Sequence, residues 1–144
     1  MKVLVIGDVI IDKYIYGTSE RLSPEAPVPI VKHLREVETL GGAGLVYENL
    51  KSLGVDVTLM ESDHGYRSVK TRVICDGHYV TRIDDDKRAS GNAVLADVLS
   101  NDFSQYEYVI LSDYDKGVLD ESLEIIEHIN KFNCKIIVDP KEHA

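Results

Sequence analysis

Val3-Leu4-Val5-Ile6-Gly7-Asp8 is a four-residue apolar run, rich in β-branched side chains, that stops at a glycine and a carboxylate. Such a run suits a strand buried on both faces of a parallel sheet. Three more runs of the same kind occur: Val55 to Met60, Tyr108-Val109-Ile110-Leu111 and Ile136-Ile137-Val138. Helical spacing fills the intervals. From Gly44 to Leu53, the residues Leu45, Val46, Asn49, Leu50 and Leu53 recur at steps of three and four. Ser90 reads as the N-cap of a helix carrying Val94, Leu95, Val98 and Leu99. A third helix carries Leu119, Leu123, Ile126, Ile129 and Phe132, with Asp120 and Glu121 near its positive end. Strands alternating with helices predict an α/β domain with right-handed crossovers.

Two stretches break this rhythm. Residues 13–40 hold Tyr14-Ile15-Tyr16-Gly17 and then Arg21-Leu22-Ser23-Pro24-Glu25-Ala26-Pro27-Val28-Pro29. Prolines this dense fit neither a central strand nor a helix. Residues 67–84 alternate in period two, with Val69, Thr71, Val73 and Cys75 on one face and Lys70, Arg72 and Ile74 on the other. Asp76-Gly77 is a hairpin signal, and His78 to Ile83 forms the partner strand. Both stretches are expected to form one small antiparallel layer projecting from the main sheet. No linker separates two domains, so residues 1–144 read as a single domain with lid segments at about 13–40 and 67–84.

The composition narrows the function classes. At 144 residues, 44% hydrophobic and 28% charged, the chain is globular and long enough to bury a core. A net charge of -9 argues against a general nucleic-acid binder, which needs a basic face to displace counterions. No apolar run approaches the ~18 residues that span a bilayer, so no membrane partner is expected. The N-terminus turns acidic too early for a signal peptide, which makes the cytoplasm the expected compartment. Cys75 and Cys134 show no metal spacing and read as two reduced thiols. The five histidines show no metal-type spacing, and His128 reads as a surface or boundary residue.

In an open parallel sheet, ligands bind beyond the carboxyl ends of the strands. The four apolar runs lead into Gly7-Asp8 and Asp12, Glu61-Ser62-Asp63, Ser112-Asp113-Tyr114-Asp115-Lys116-Gly117, and Asp139-Pro140-Lys141. Polar groups therefore converge on one edge, although single acidic residues after strands also serve merely to cap helices and solvate loops. Gly41-Gly42-Ala43-Gly44 opens the first helix and lets backbone approach a ligand, or else makes a purely structural turn. It is neither a Walker A loop nor a dinucleotide fingerprint.

Taken in order, Gly7 to Tyr14, Arg21 to Pro29, Gly41 to Gly44, Leu111 to Gly117 and Val138 to Lys141 resemble the ribokinase-like (PfkB) sugar kinases. Within that family they resemble the kinase domain of the bifunctional heptose-phosphate kinase/adenylyltransferases. The resemblance implies a ribokinase-like parallel sheet flanked by helices, truncated, with a small antiparallel β lid. It implies ATP- and Mg2+-dependent phosphorylation of O1 of a heptose 7-phosphate, on the way to lipopolysaccharide core sugar. It implies that Asp8 and Asp12 lie at the sugar, that Gly41 and Gly42 let the backbone close on it, and that Asn49 matches a branch asparagine. Lys70, Arg72 and Arg82 then hold the substrate phosphate, and Asp113, Lys116, Asp139 and Lys141 face the phosphoryl-transfer region. The family lid often also forms a dimer.

The departures are as informative. Leu45 stands where the family has an asparagine after Gly-Gly-Ala-Gly, and Tyr47 where it has a small residue. Roughly thirty residues usual after the second strand are missing after Met60. The 144 residues contain neither the Asn-x-x-Glu magnesium motif nor the Gly-Ala-Gly-Asp motif that supplies the anion hole and the catalytic base. These residues alone are therefore expected to be a poor kinase. A homo-oligomer or a complementing chain is expected to cover the surfaces left open, and the alternative is a non-catalytic module that binds a sugar phosphate or oligomerises.

Overall fold

The computed structural model describes residues 1–141, and His143 lies outside them. The chain forms β1 (Lys2–Gly7), β2 (Val9–Thr18), β3 (Lys32–Gly42), α1 (Ala43–Ser52), β4 (Asp56–Met60), β5 (Ser68–Cys75), β6 (His78–Asp85), α2 (Gly91–Leu99), β7 (Tyr108–Ser112), α3 (Ser122–Ile129) and β8 (Lys135–Asp139). It resolves into two compact units. The first takes Met1–Ile10, Leu40–Ser68 and the described residues from Asp86 onward; the second takes Ile11–Thr39 and Val69–Asp85. The second unit is built from two separated segments continuous with strands, which is why no linker composition marks it.

In the first unit the four apolar runs form one sheet of order β4-β1-β7-β8. All three pairings are parallel. Ile6 pairs with Met60, Gly7 with Ser112, and Ser112 with Asp139, so the four strands end side by side along one edge. Alternate residues serve opposite faces. Leu4, Ile6, Val109 and Leu111 pack with Val94 and Val98 of α2, Ile125 and Ile129 of α3, and Phe103. Val5 packs on the other face against Ala43, Val46 and Leu50. The Phe103 ring is fully buried, with ring centroids of Phe132 at 5.7 Å and His128 at 5.8 Å. Burying one such side chain is worth about 1.5–3 kcal/mol.

The helical phases differ from expectation in detail. α3 starts only at Ser122, so Leu119 precedes it, and the i, i+4 pair Ile125 and Ile129 sets its buried stripe. Leu123, expected on that stripe, is 77% exposed. Leu45, Leu53 and Leu99 also face outward. Ser90 caps α2 as read, its Oγ accepting the Ala93 N–H at 3.4 Å. Ser90→Ala is expected to cost about 1 kcal/mol in urea unfolding, with no loss of far-ultraviolet signal.

The second unit carries a sheet of order β3-β2-β5-β6. β5 and β6 are antiparallel, joined through Asp76 and Gly77 at φ 50° and 80°. Two positive φ values make the turn whose twist suits a hairpin. The register slips between Val73 and Ile74. The proline-rich segment lies between β2 and β3, as its composition demands, with Leu22 bridging Pro29. Among the described residues no helix is long and apolar enough to cross a membrane. Cys75 is buried and Cys134 partly so, and both are free; burial pushes the Cys134 thiol up.

Candidate functional site

The carboxyl edge of the first unit gathers several of the residues singled out above. Asp8 comes directly after β1 and is 1% exposed. Its Oδ2 accepts the Tyr114 N–H at 2.8 Å and the Lys116 N–H at 3.3 Å, and its Oδ1 accepts the Val118 N–H at 3.0 Å. Burial, the largest influence, raises its carboxyl above the usual range against the lowering effect of those three donors. Asp8 thus holds the loop after β7. The Asp8 carbonyl accepts the Ala43 N–H at 2.9 Å. That carbonyl lies so close to Gly42 that a Cβ there would collide with it, and Gly42 also sits at φ 59°.

The loop after β7 is pinned from other directions. Lys116 Nζ pairs with Asp86 Oδ1 at 2.9 Å. Arg88 donates to the Asp115 carbonyl at 3.0 Å and to Asp120 Oδ1 at 2.6 Å. Asp113 donates its N–H to the Asp139 carbonyl at 3.0 Å, which ties the ends of β7 and β8 together. Asp139 and Lys141 are exposed at the end of β8. The Ser112 hydroxyl is buried at this edge with no partner among the described residues. Gly41 is buried at the end of β3, whereas Asn49 is exposed on α1, six residues and about 9 Å along the helix from Ala43. Leu45, where the resembled family has an amide, is 50% exposed. Tyr47 lies under Lys51 Nζ, 5.5 Å from the ring centroid.

The cleft at this edge is lined by Asp8, Glu61, Arg67 and Lys116 among others, and Arg67 is ion-paired with Glu61. Its volume is about 10 Å³, room for a single water at most. A nucleoside triphosphate does not fit it. Among the described residues no three His, Cys, Asp or Glu side chains gather as a metal site. This cleft therefore holds neither the ATP nor the Mg2+ that the resemblance implies.

The second unit brings a different group together. Arg72 Nη1 donates to Asp12 Oδ1 at 2.7 Å, both side chains being about a quarter exposed. This hydrogen bond, with the Asp12 charge, raises the Arg72 guanidinium further above its already high value. Arg72 also stands over Tyr14, 5.4 Å from the ring centroid, and Tyr14 stacks with Tyr16. In register, Arg72 faces Arg82 and Lys70 faces Asp84, so the four side chains share one face of the β5–β6 pair. Arg82 pairs with Asp84 at 2.8 Å. Lys70 and the second oxygen of Asp12 have no partner among the described residues. The arrangement is a row of cations ending in a carboxylate with a free acceptor, beside two stacked tyrosines. It suits a polyhydroxylated ligand bearing an anionic group.

Tyr14 and Arg88 were not singled out from the sequence as functional residues. The cation–ring contact of Tyr14 and the loop-pinning of Arg88 join residues 58 and 27–32 positions apart, and no local period signals either.

The sheet order and the helices on both faces are those of a ribokinase-like fold. The structure of the tetrameric inhibited form of phosphofructokinase-2 from Escherichia coli superimposes with a TM-score of 0.57 at 14% identity, covering 97% of this chain and 55% of that one. Ribokinase from Cryptococcus neoformans var. grubii serotype A, in complex with ADP, does so with a TM-score of 0.52 at 13% identity, covering 97% and 49%. By sequence the chain is a relative of the bifunctional HldE proteins. It is 38% identical to that of Helicobacter acinonychis over 97% of this chain and 37% of the relative, and 36% identical to that of Sulfurimonas denitrificans over 97% and 36%. The chain therefore spans little more than a third of these relatives. The matched stretch runs to 173 positions in a 144-residue chain, so the relatives carry roughly thirty residues within it that this chain lacks. No protein-family model matches the chain.

Proposed function

We propose that this chain is the sugar-binding part of a carbohydrate kinase acting on a heptose 7-phosphate, and that its 144 residues bind the sugar without transferring phosphate. The single observation that carries the reading is the Asp12–Arg72 pair, which lies in a row with Arg82 and Lys70 and leaves one carboxylate oxygen free. Asp12 accepts sugar hydroxyl protons, and the cations of β5 and β6 hold the sugar's own phosphate. Phosphoryl transfer rests on positioning and on stabilising developing charge. The cleft beside Asp8 is too small for a nucleotide, and no Gly-Ala-Gly-Asp segment among these residues supplies a base. The nucleotide, the metal and the base come from a further polypeptide region, and Asp113, Lys116, Asp139 and Lys141 face that region. A second copy or a complementing chain covers β8, an edge strand whose Ile137 and Val138 are 49% and 48% exposed. The setting we infer is cytoplasmic lipopolysaccharide-sugar synthesis.

The test is calorimetry of the purified chain with heptose 7-phosphate, and then a measurement of ADP release with ATP and magnesium present. Saturable heat without ADP release is the expected result. Absence of heat overturns the sugar reading, and turnover at ordinary kinase rates, ~1–100 s⁻¹, overturns the claim that these residues do not transfer phosphate.

A further inference from the structure

Among the described residues β8 pairs only with β7, and its backbone shows which groups it leaves over. The Lys135 N–H donates to the Glu107 carbonyl at 2.9 Å, and the Asp139 carbonyl accepts the Asp113 N–H at 3.0 Å. Backbone polar groups alternate in direction along a strand, so Lys135, Ile137 and Asp139 turn theirs toward β7. Ile136 and Val138 turn their N–H and C=O to the open edge. Pro140, next in that series, has no N–H to add.

The side chains of the strand read Lys135-Ile136-Ile137-Val138-Asp139, a cation and an anion around three apolar residues. Turned end for end, this pattern is its own complement. An antiparallel copy centred on Ile137 sets Lys135 opposite the partner's Asp139, and Asp139 opposite the partner's Lys135. Opposite charges directly across a strand pair are stabilising. Ile136 and the partner's Val138 then exchange both of their outward hydrogen bonds, and the two-fold axis repeats the exchange. Ile137, 49% exposed, meets the partner's Ile137 at the axis. The neighbouring registers are worse. One sets Lys135 against the partner's Ile137, and the other sets it against the partner's Lys141 and brings Pro140 into the ladder.

We propose that β8 pairs antiparallel with β8 of a second copy of this chain, centred on Ile137, joining two four-stranded sheets into one of eight. The proposal rests on the reading above that β8 is covered, and names its occupant and register. It does not require that any sugar binds.

Sedimentation of the full chain at micromolar concentration is expected to show a dimer. Lys135→Glu or Asp139→Lys alone is expected to raise its dissociation constant at least tenfold, because like charges then face each other. The exchange Lys135→Glu, Asp139→Lys is expected to restore it within threefold. Cross-linking reads the register. Directly opposed residues of the central pair have Cα atoms about 4.5 Å apart, within the roughly 4.4–6.8 Å that a disulfide spans. In a Cys134→Ala background, Ile137→Cys is expected to oxidise to a covalent dimer, whereas Leu123→Cys, 77% exposed on α3, is not. Lys135→Cys and Asp139→Cys are expected to cross-link when mixed and not when oxidised separately. A monomer, a mass that keeps growing with concentration, a dimer that forms no Ile137→Cys cross-link, or a charge exchange that fails to restore association would each overturn the proposal. Calorimetry with heptose 7-phosphate on the same samples tells the readings apart: heat without a dimer removes this one alone, and a dimer without heat removes the sugar reading alone.

Discussion

Asp8→Ala is expected to lower unfolding free energy by about 3 kcal/mol or more, read as a fall in the urea midpoint without a change in slope. The carboxylate is buried and is the acceptor for three backbone N–H groups, those of Tyr114, Lys116 and Val118. Alanine leaves those donors without their acceptor, the Val118 bond being buried and the other two partly so, and each buried unmet donor costs about 1–3 kcal/mol. Asp8→Asn keeps the shape but turns one acceptor into a donor. The expected loss is smaller, because an amide oxygen at the Oδ2 position still serves two of the three. The pH dependence has a definite sign. Burial raises the folded-state carboxyl above its unfolded value. The stability contributed by this group is thus fully present below the ordinary carboxylate range, about pH 4, and is lost as pH rises through the raised value. Asp8→Asn removes that decline. A wild-type stability curve whose slope above pH 4 matches that of the asparagine variant would contradict the assignment.

Asp12→Ala is expected to weaken heptose 7-phosphate binding at least a hundredfold, about 2.7 kcal/mol, measured by calorimetry. Its effect on the fold is expected to be small, about 1 kcal/mol, since the Asp12–Arg72 pair is partly solvated and Arg72 keeps its place over Tyr14. This separation makes the prediction informative. A structural role for Asp12 would move the urea midpoint and the affinity together, whereas a sugar contact moves the affinity alone. Arg72→Gln is expected to weaken the sugar phosphate more than the corresponding neutral heptose, because the guanidinium acts on the phosphate and only indirectly on the hydroxyls. Affinity within threefold of wild type in Asp12→Ala would place the sugar elsewhere.

Much of the architecture was legible from local pattern. Apolar runs buried on both faces have one reading when helices alternate with them, and β1, β4, β7 and β8 lie within one or two residues of the runs that announced them. The Asp-Gly pair and the Ser90 cap were equally plain, because each is a short-range device whose chemistry lies within four residues. The helix faces were less so. Leu123 was expected on the buried stripe of α3, but Ile125 and Ile129 fill it and Leu123 faces outward, a choice of face that packing against the sheet makes.

By itself the sequence determined the strand directions, and with them the gathering of Asp8, Asp113, Lys116 and Asp139 at one carboxyl edge. Parallel strands that end together must bring the residues just past their ends together as well. It also determined the hairpin and the place of the prolines outside any strand. Only the tertiary structure decided how those groups are used: that Asp8 is consumed in holding a loop more than a hundred residues away, and that Asp12 meets Arg72 across 60 residues. Such pairings depend on which strands become neighbours and in what register. That choice is made by the burial of the whole apolar set, and no local stretch of sequence contains it.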